Sequence, residues 1–272
     1  MFKYHKLSIN LLLFFTFFSC LVKSHNFIYY GCSQEKFQAN TPYETNLNSL
    51  LPLFVSSSSE SLYNSFAIGN NTSSSETVVY GLYQCRGDLR TQECTKCVAS
   101  IVSQVDLVCP YSYSVSMQLD ECLVRFENFD FLGKLDTNLR FHKCSQSVTH
   151  DAQSLKRRDD VLVELGEIDQ GFRISSSGLV QGFSQCLGDL NKNDCSSCLG
   201  EAGSKLKNMC GSSKAGDIFL AQCYMRYWAS GYYDSHSRSS GDDNVGRTIA
   251  IIVGVVGGLA AFIVFLSFCR RS

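Results

Sequence analysis

Three cysteines, Cys85, Cys94 and Cys97, fall within "CRGDLRTQECTKC", a spacing that serves two chemistries. The Cys94/Cys97 pair has the Cys-x-x-Cys form of half a zinc site or a redox dithiol. The same sulfurs can equally be the ends of disulfides in an exported domain. A second copy, "CLGDLNKNDCSSC", carries Cys186, Cys195 and Cys198. The register continues downstream: Cys109 and Cys122 are matched by Cys210 and Cys223, every position shifted by 101 residues. Five matched cysteines at equal intervals define a tandem repeat. Cys32 and Cys144, each opening a "CSQ", supply a sixth cysteine to each copy.

The ends of the chain bear on which chemistry applies. Residues 1–24 read as a signal peptide, with Lys3, His5 and Lys6 before an apolar run from Leu7 to Val22 and cleavage after Ser24. Residues 248–268 read as a transmembrane helix, since Ile249–Phe268 contains no charge and about twenty residues at 1.5 Å rise span a bilayer core of roughly 30 Å. Arg270 and Arg271 favour a cytosolic C-terminus for the short tail, 269–272, and so a type I orientation. A retained N-terminal anchor and a C-terminal lipid-anchor signal are the competing readings of these two segments; the basic residues after the span oppose the second. Of the 14 cysteines, Cys20 lies in the signal and Cys269 at the inner membrane edge, which leaves six per repeat in an oxidising compartment. Zinc would need four clustered ligands; the two Cys-x-x-Cys pairs stand about a hundred residues apart, and His142, His150 and His236 have no ligand spacing. A disulfide framework is expected, with 15 pairings open for six cysteines.

Coarse patterning supplies the scaffold. After Cys94, Cys97, Val98, Ile101, Val105 and Val108 fall on one helical face; the second copy offers Cys195, Cys198, Leu199, Ala202, Leu206 and Met209. "TVVYGLYQC" and "GLVQGFSQC" read as strands, as do "CLVRFENF" and "CYMRYWAS". Earlier helices are expected near Asn46–Phe54, limited by Pro52, and near Asp159–Leu165. This is an α+β pattern of two helices against an antiparallel sheet in each of two tandem disulfide-rich domains, 25–135 and 136–234. A polar stalk, 235–247, leads to the membrane. The interval Cys144–Cys186 is shorter than Cys32–Cys85 by 41 against 52 intervening residues, so trimmed loops are expected in domain 2.

The Cys-x8-Cys-x2-Cys spacing with its flanking Gly-Asp-Leu resembles the plant ginkbilobin-like, or stress-antifungal, domain. That resemblance implies five strands per sheet and a pairing of first cysteine to fifth, second to third and fourth to sixth. Carried over, the pairs are Cys32–Cys109, Cys85–Cys94, Cys97–Cys122, Cys144–Cys210, Cys186–Cys195 and Cys198–Cys223. Some such domains bind mannose through an Asn after the first cysteine, an Arg seven after the fifth and a Glu five after the sixth. Those places hold Ser33, Ser116 and Glu127 in domain 1 and Ser145, Asp217 and Trp228 in domain 2, so only Glu127 matches and mannose binding is not expected.

No catalytic triad, phosphate loop or His-Glu-x-x-His motif is present, so no enzyme is expected, and no cofactor or metal is implied. A formal net charge of −1 gives no electrostatic case for nucleic acid. Asp159–Asp160 and Asp242–Asp243 read as solvated charge. Arg125 and Arg226 share one strand position and read as partners of a carboxylate or carbonyl. Trp228, Tyr227, Tyr232 and Tyr233 divide between core packing and an interaction face. "NNTS" makes Asn70 and Asn71 N-glycosylation candidates, Gly254 and Gly258 form a Gly-x-x-x-Gly for helix pairing, and Cys269 is a palmitoylation candidate.

Two such domains, one span and almost no tail, together with "YGLYQCRGDL", "FLAQCYMRYWASGYYD" and "IIVGVVGGLAAFIVFLSFCRR", resemble the plant plasmodesmata-located proteins over essentially the whole chain. Cysteine-rich receptor-like kinases share the paired domains but continue into a kinase. The resemblance implies a non-enzymatic type I plasma-membrane protein of plasmodesmata with its ectodomain in the apoplast. It also implies modulation of cell-to-cell trafficking, including through callose deposition, docking of viral movement proteins, and partners among plasmodesmal membrane proteins or further copies of itself. The rival readings are a membrane-tethered glycan-binding or antifungal defence protein and a kinase-free co-receptor.

Overall fold

The structure, a computed structural model, describes residues 26–69, 77–167 and 171–230. The signal segment, stalk, span and tail lie outside the described residues, as do Asn70, Asn71, Tyr232, Tyr233, Gly254, Gly258 and Cys269. Among the described residues no helix is long and apolar enough to cross a membrane. The chain divides into two units, at Lys134 and Leu135.

Unit 1 runs β1 (Phe27–Cys32), α1 (Pro42–Ser57), β2 (Tyr63–Ile68), β3 (Val79–Cys85), α2 (Thr91–Val102), a one-turn α3 (Val105–Val108), β4 (Val115–Leu119) and β5 (Cys122–Glu127). All strand pairs are antiparallel, in the order β1-β4-β5-β3-β2. Period-two alternation divides β5: Cys122, Val124 and Phe126 enter the core under the helices, so Leu123, Arg125 and Glu127 take the opposite face. The core holds Tyr43, Leu47, Leu50 and Phe54 of α1 and Cys97, Val98 and Ile101 of α2.

α1 begins earlier and ends later than the Asn46–Phe54 expectation. Thr41 caps it by accepting from the Glu44 amide, Pro42 sits in its first turn, and it passes through Pro52 to Ser57. Burial of Leu50, Leu51 and Phe54 outweighs the lost hydrogen bond, and Pro52 lies on the exposed side where water can serve the freed carbonyl.

Unit 2 repeats the plan with β6 (Leu139–Cys144), α4 (Ala152–Gly166), β7 (Phe172–Ser177), β8 (Val180–Cys186), α5 (Lys192–Cys210), β9 (Ala215–Leu220) and β10 (Cys223–Ala229), in sheet order β6-β9-β10-β8-β7. Three local features differ from the sequence reading. α4 starts at Ala152, so Asp159 and Asp160 lie mid-helix and not at its start; Asp151 is the cap, accepting from the Gln153 and Ser154 amides. Those bonds, with the Ser154 hydroxyl foremost, hold the Asp151 carboxyl below the usual carboxylate range. α5 is continuous where unit 1 breaks at Ser103, and it turns Cys210 inward and leaves Met209 exposed. The trimmed loop is the β7–β8 connection, reduced to Gly178 and Leu179, where unit 1 spends residues 69–78 between β2 and β3. Gly178 takes φ +57, the left-handed backbone such a tight turn needs.

Gly81 and Gly182 occupy the same place, where helix meets sheet most closely. A Cβ on Gly182 would stand 2.5 Å from the Arg226 carbonyl oxygen and 2.9 Å from Leu165; on Gly81 it would stand 2.7 Å from the Phe54 ring. Because backbone cannot step aside as a side chain can, Gly182→Ala is expected to cost about 1–3 kcal/mol, the range for overpacking, read as a lower denaturant midpoint. An unchanged midpoint would mean that the β8 and β10 backbones have room to shift apart at this contact.

Candidate functional site: bridged frames and two buried arginines

Six disulfides join Cys32–Cys109, Cys85–Cys94 and Cys97–Cys122 in unit 1 and Cys144–Cys210, Cys186–Cys195 and Cys198–Cys223 in unit 2. Each set has the same mechanical logic. The nine-residue bridge ties the end of the interior strand β3 or β8 to the first turn of the following helix. The next cysteine, three residues on and on the same helical face, fastens that helix to β5 or β10. The longest bridge closes the edge strand onto Cys109, just past α3, in unit 1 and onto Cys210, the last residue of α5, in unit 2. With these twelve sulfurs paired, none is a thiolate for zinc or redox exchange. Among the described residues no group of three or more His, Cys, Asp or Glu is placed to hold a metal.

Arg125 and Arg226 lie on the sheet faces away from the helices and are both buried. Arg125 donates from Nε to Glu127 Oε1 at 2.9 Å, and its guanidinium lies 4.2 Å from the centre of the Phe131 ring. Arg226 donates to Asp217 from Nε at 2.9 Å and from Nη2 at 3.3 Å, with Phe183 and Phe219 5.5 and 5.8 Å away. The carboxylates come from different places. Glu127 stands two residues along the same strand as its arginine, whereas Asp217 stands directly across on β9. Ser116 faces Arg125 where Asp217 faces Arg226. At the shared 101-residue offset, one copy reads Ser116 and Glu127 and the other Asp217 and Trp228. One carboxylate has moved between two positions while the charge balance is kept. That exchange is the sequence signal for the pair, visible once the copies are aligned.

The positions equivalent to sugar contacts therefore carry structural bonds. Glu127 and Asp217 neutralise arginines. Ser33 donates to the Glu35 carbonyl and accepts from the Ser114 amide; Ser145 donates to the Ser147 carbonyl and accepts from its amide. Trp228 packs edge-on to Phe183 at 5.7 Å in an aromatic row that continues through Tyr224 and Phe219 to Phe141. Tyr227 points the other way, into the core, where its hydroxyl donates to the Ser213 carbonyl and burial raises its pKa.

The twice-repeated domain is matched among known proteins. The stress-antifungal family, described as "Salt stress response/antifungal", covers residues 31–129 and 136–230. Plasmodesmata-located protein 8 of Arabidopsis thaliana is 54% identical over 253 residues, 92% of this chain and 91% of its own length. The chain belongs to the plasmodesmata-located protein family. Family likeness extends to solved structures: the tandem DUF26 ectodomain of the Arabidopsis thaliana cysteine-rich receptor-like protein PDLP8 matches with a TM-score of 0.74 at 53% identity, over 76% of this chain and all of that one. A more distant relative of this chain is the antimicrobial ginkbilobin-2-like protein of Castanea crenata, 30% identical over 74% of this chain and 86% of its own length.

Proposed function

We propose that the chain is a non-enzymatic type I membrane protein of plasmodesmata that modulates cell-to-cell trafficking, including through callose deposition, and docks viral movement proteins. It acts by recruiting and clustering proteins in the apoplast. The observation that carries this reading is the 54% identity with plasmodesmata-located protein 8 over nearly the full length of both chains. The disulfide-braced units suit a rigid display surface, and the apolar segment 248–268 supplies the anchor, with Gly254 and Gly258 available for pairing. The antimicrobial relative in Castanea crenata favours a second reading, a tethered glycan-binding or antifungal protein.

Imaging, tracer and growth measurements separate these. In leaf cells, the tagged chain is expected at wall puncta that coincide with plasmodesmata, and raising its level is expected to change the spread of a fluorescent tracer and the callose stain at those puncta. Exchanging Ile249–Phe268 for an unrelated apolar span is expected to disperse the puncta, and retention would remove the span as the address. Diffuse surface location of the native chain, together with growth inhibition of fungi by it, would replace the trafficking reading with the defence reading.

A further inference from the structure

Unit 2 contains a cavity of about 340 Å³, and the repeat shows what occupies the equivalent place in unit 1. In unit 1 the corresponding space, between the first turn of α1 and the segment leading into β4, is filled by a triplet of rings. Phe37, Tyr43 and Tyr113 stand with centroids 4.8–5.8 Å apart. Backbone bonds fix the equivalences. The Phe37 amide donates to the Tyr111 carbonyl as the Thr149 amide donates to that of Ser212, and the Ser33 amide donates to Ser114 as Ser145 does to Ala215. Thr149 thus stands for Phe37 and Lys214 for Tyr113, while the first turn of α4 offers Ser154 where α1 offers Tyr43. Three rings have become two hydroxyls and an amine. A fourth exchange adds polarity, since Tyr227 holds the place of Phe126.

The lining has one chemical character. Its charged members are Arg157, Arg158 and Lys214, with no carboxylate among the lining residues. Arg158 is immobilised by donating to Asp159 and to the Gly211 carbonyl, and Asp159 offsets much of its charge. Arg157 and Lys214 form no ion pair among the described residues, and Arg157 helps to keep the Asp151 carboxyl ionised. The lining also includes the hydroxyl-bearing Ser147, Thr149, Ser154 and Ser230, with the Ser154 hydroxyl donating to Asp151, and the apolar Leu155, Leu179, Val180 and Ala229. Cations for a carboxylate, hydroxyls for hydroxyls and an apolar wall for a C–H face fit one occupant class, at the small end of the volumes ligand pockets occupy.

We propose that this cavity binds a small hydroxylated carboxylate, a hexuronic-acid unit of an acidic carbohydrate. Because the contacts are charge-assisted and partly exposed, binding weakens as salt rises. The test uses the full chain in detergent, titrated calorimetrically with galacturonate, galactose and inorganic sulfate. Galacturonate is expected to bind saturably, galactose at least tenfold more weakly, and sulfate to compete only at much higher concentration. Arg157→Gln with Lys214→Gln is expected to weaken galacturonate at least tenfold at unchanged melting temperature, and Arg157→Lys with Lys214→Arg to restore most of it. No galacturonate binding, or binding that the Gln variant leaves intact, overturns the site. Galactose binding as well as galacturonate overturns the charge argument, and sulfate competing at equal concentration reduces the cavity to a simple anion hole. Since the titration reads a ligand and not location or traffic, its failure leaves the plasmodesmal reading standing, and the reverse also holds.

Discussion

Replacing Cys32 and Cys109 together by serine is expected to destabilise unit 1 by about 4.5 kcal/mol, the loop-closure value for a bridge spanning 77 residues. The same treatment of the nine-residue Cys85–Cys94 bridge is expected to cost about 2.6 kcal/mol, and of the 25-residue Cys97–Cys122 bridge about 3.5 kcal/mol. A domain of this size has about 5–15 kcal/mol in hand, so loss of the long bridge alone removes roughly 30–90% of it. Denaturant midpoints of the three double variants check the order. If the nine-residue bridge proves as costly as the longest, the bridges act through native packing and not by restricting the unfolded chain.

Arg226→Met is expected to be nearly as damaging, at about 3–5 kcal/mol, because it leaves the Asp217 carboxylate buried without its cation. The aromatic rings beside it cannot solvate an anion; they favour the guanidinium through their negative faces. Adding Asp217→Leu to the same chain is expected to recover most of the loss, since a well-packed apolar pair is often no less stable than a buried ion pair. The thermal midpoints of both single variants and the double variant decide this. If the double variant melts no higher than Arg226→Met, packing around Arg226, and not charge balance, is what the residue supplies. In unit 1, Glu127→Leu with Arg125→Met tests the same balance where the carboxylate sits on the other position.

The repeat, the strands ending at Cys85 and Cys186 and the helices bearing Cys97 and Cys198 were legible because cysteine spacing and apolar period mark the same faces. The start of α4 was not legible. "AQSLKRRDD" contains one large apolar residue, so no amphipathic stripe announces a helix there; Arg158 is buried on its inner side, where Leu47 stands in α1. The sequence suggests a shorter α1 because a proline normally ends a helix, and burial of Leu50, Leu51 and Phe54 is what carries the helix through Pro52. The partners of the arginines were hidden for a different reason. Ser116 and Asp217 look unrelated until strand register places both opposite an arginine, and Glu127 looks like a sugar contact until its oxygen is seen bonded to Arg125. A cavity leaves no mark in one copy; only its filled twin reveals Thr149, Ser154 and Lys214 as vacated ring positions.

The order in which partners emerge during synthesis follows from the bridge map. Cys32 appears first, yet its mate Cys109 arrives 77 residues later, a delay of roughly 4–15 s at ordinary elongation rates. Cys85, Cys94 and Cys97 all appear in that gap and can capture it. For a chain oxidised while being made, maturation is then a contest between early wrong crosslinks and late right ones, decided by thiol–disulfide exchange and not by the final fold alone.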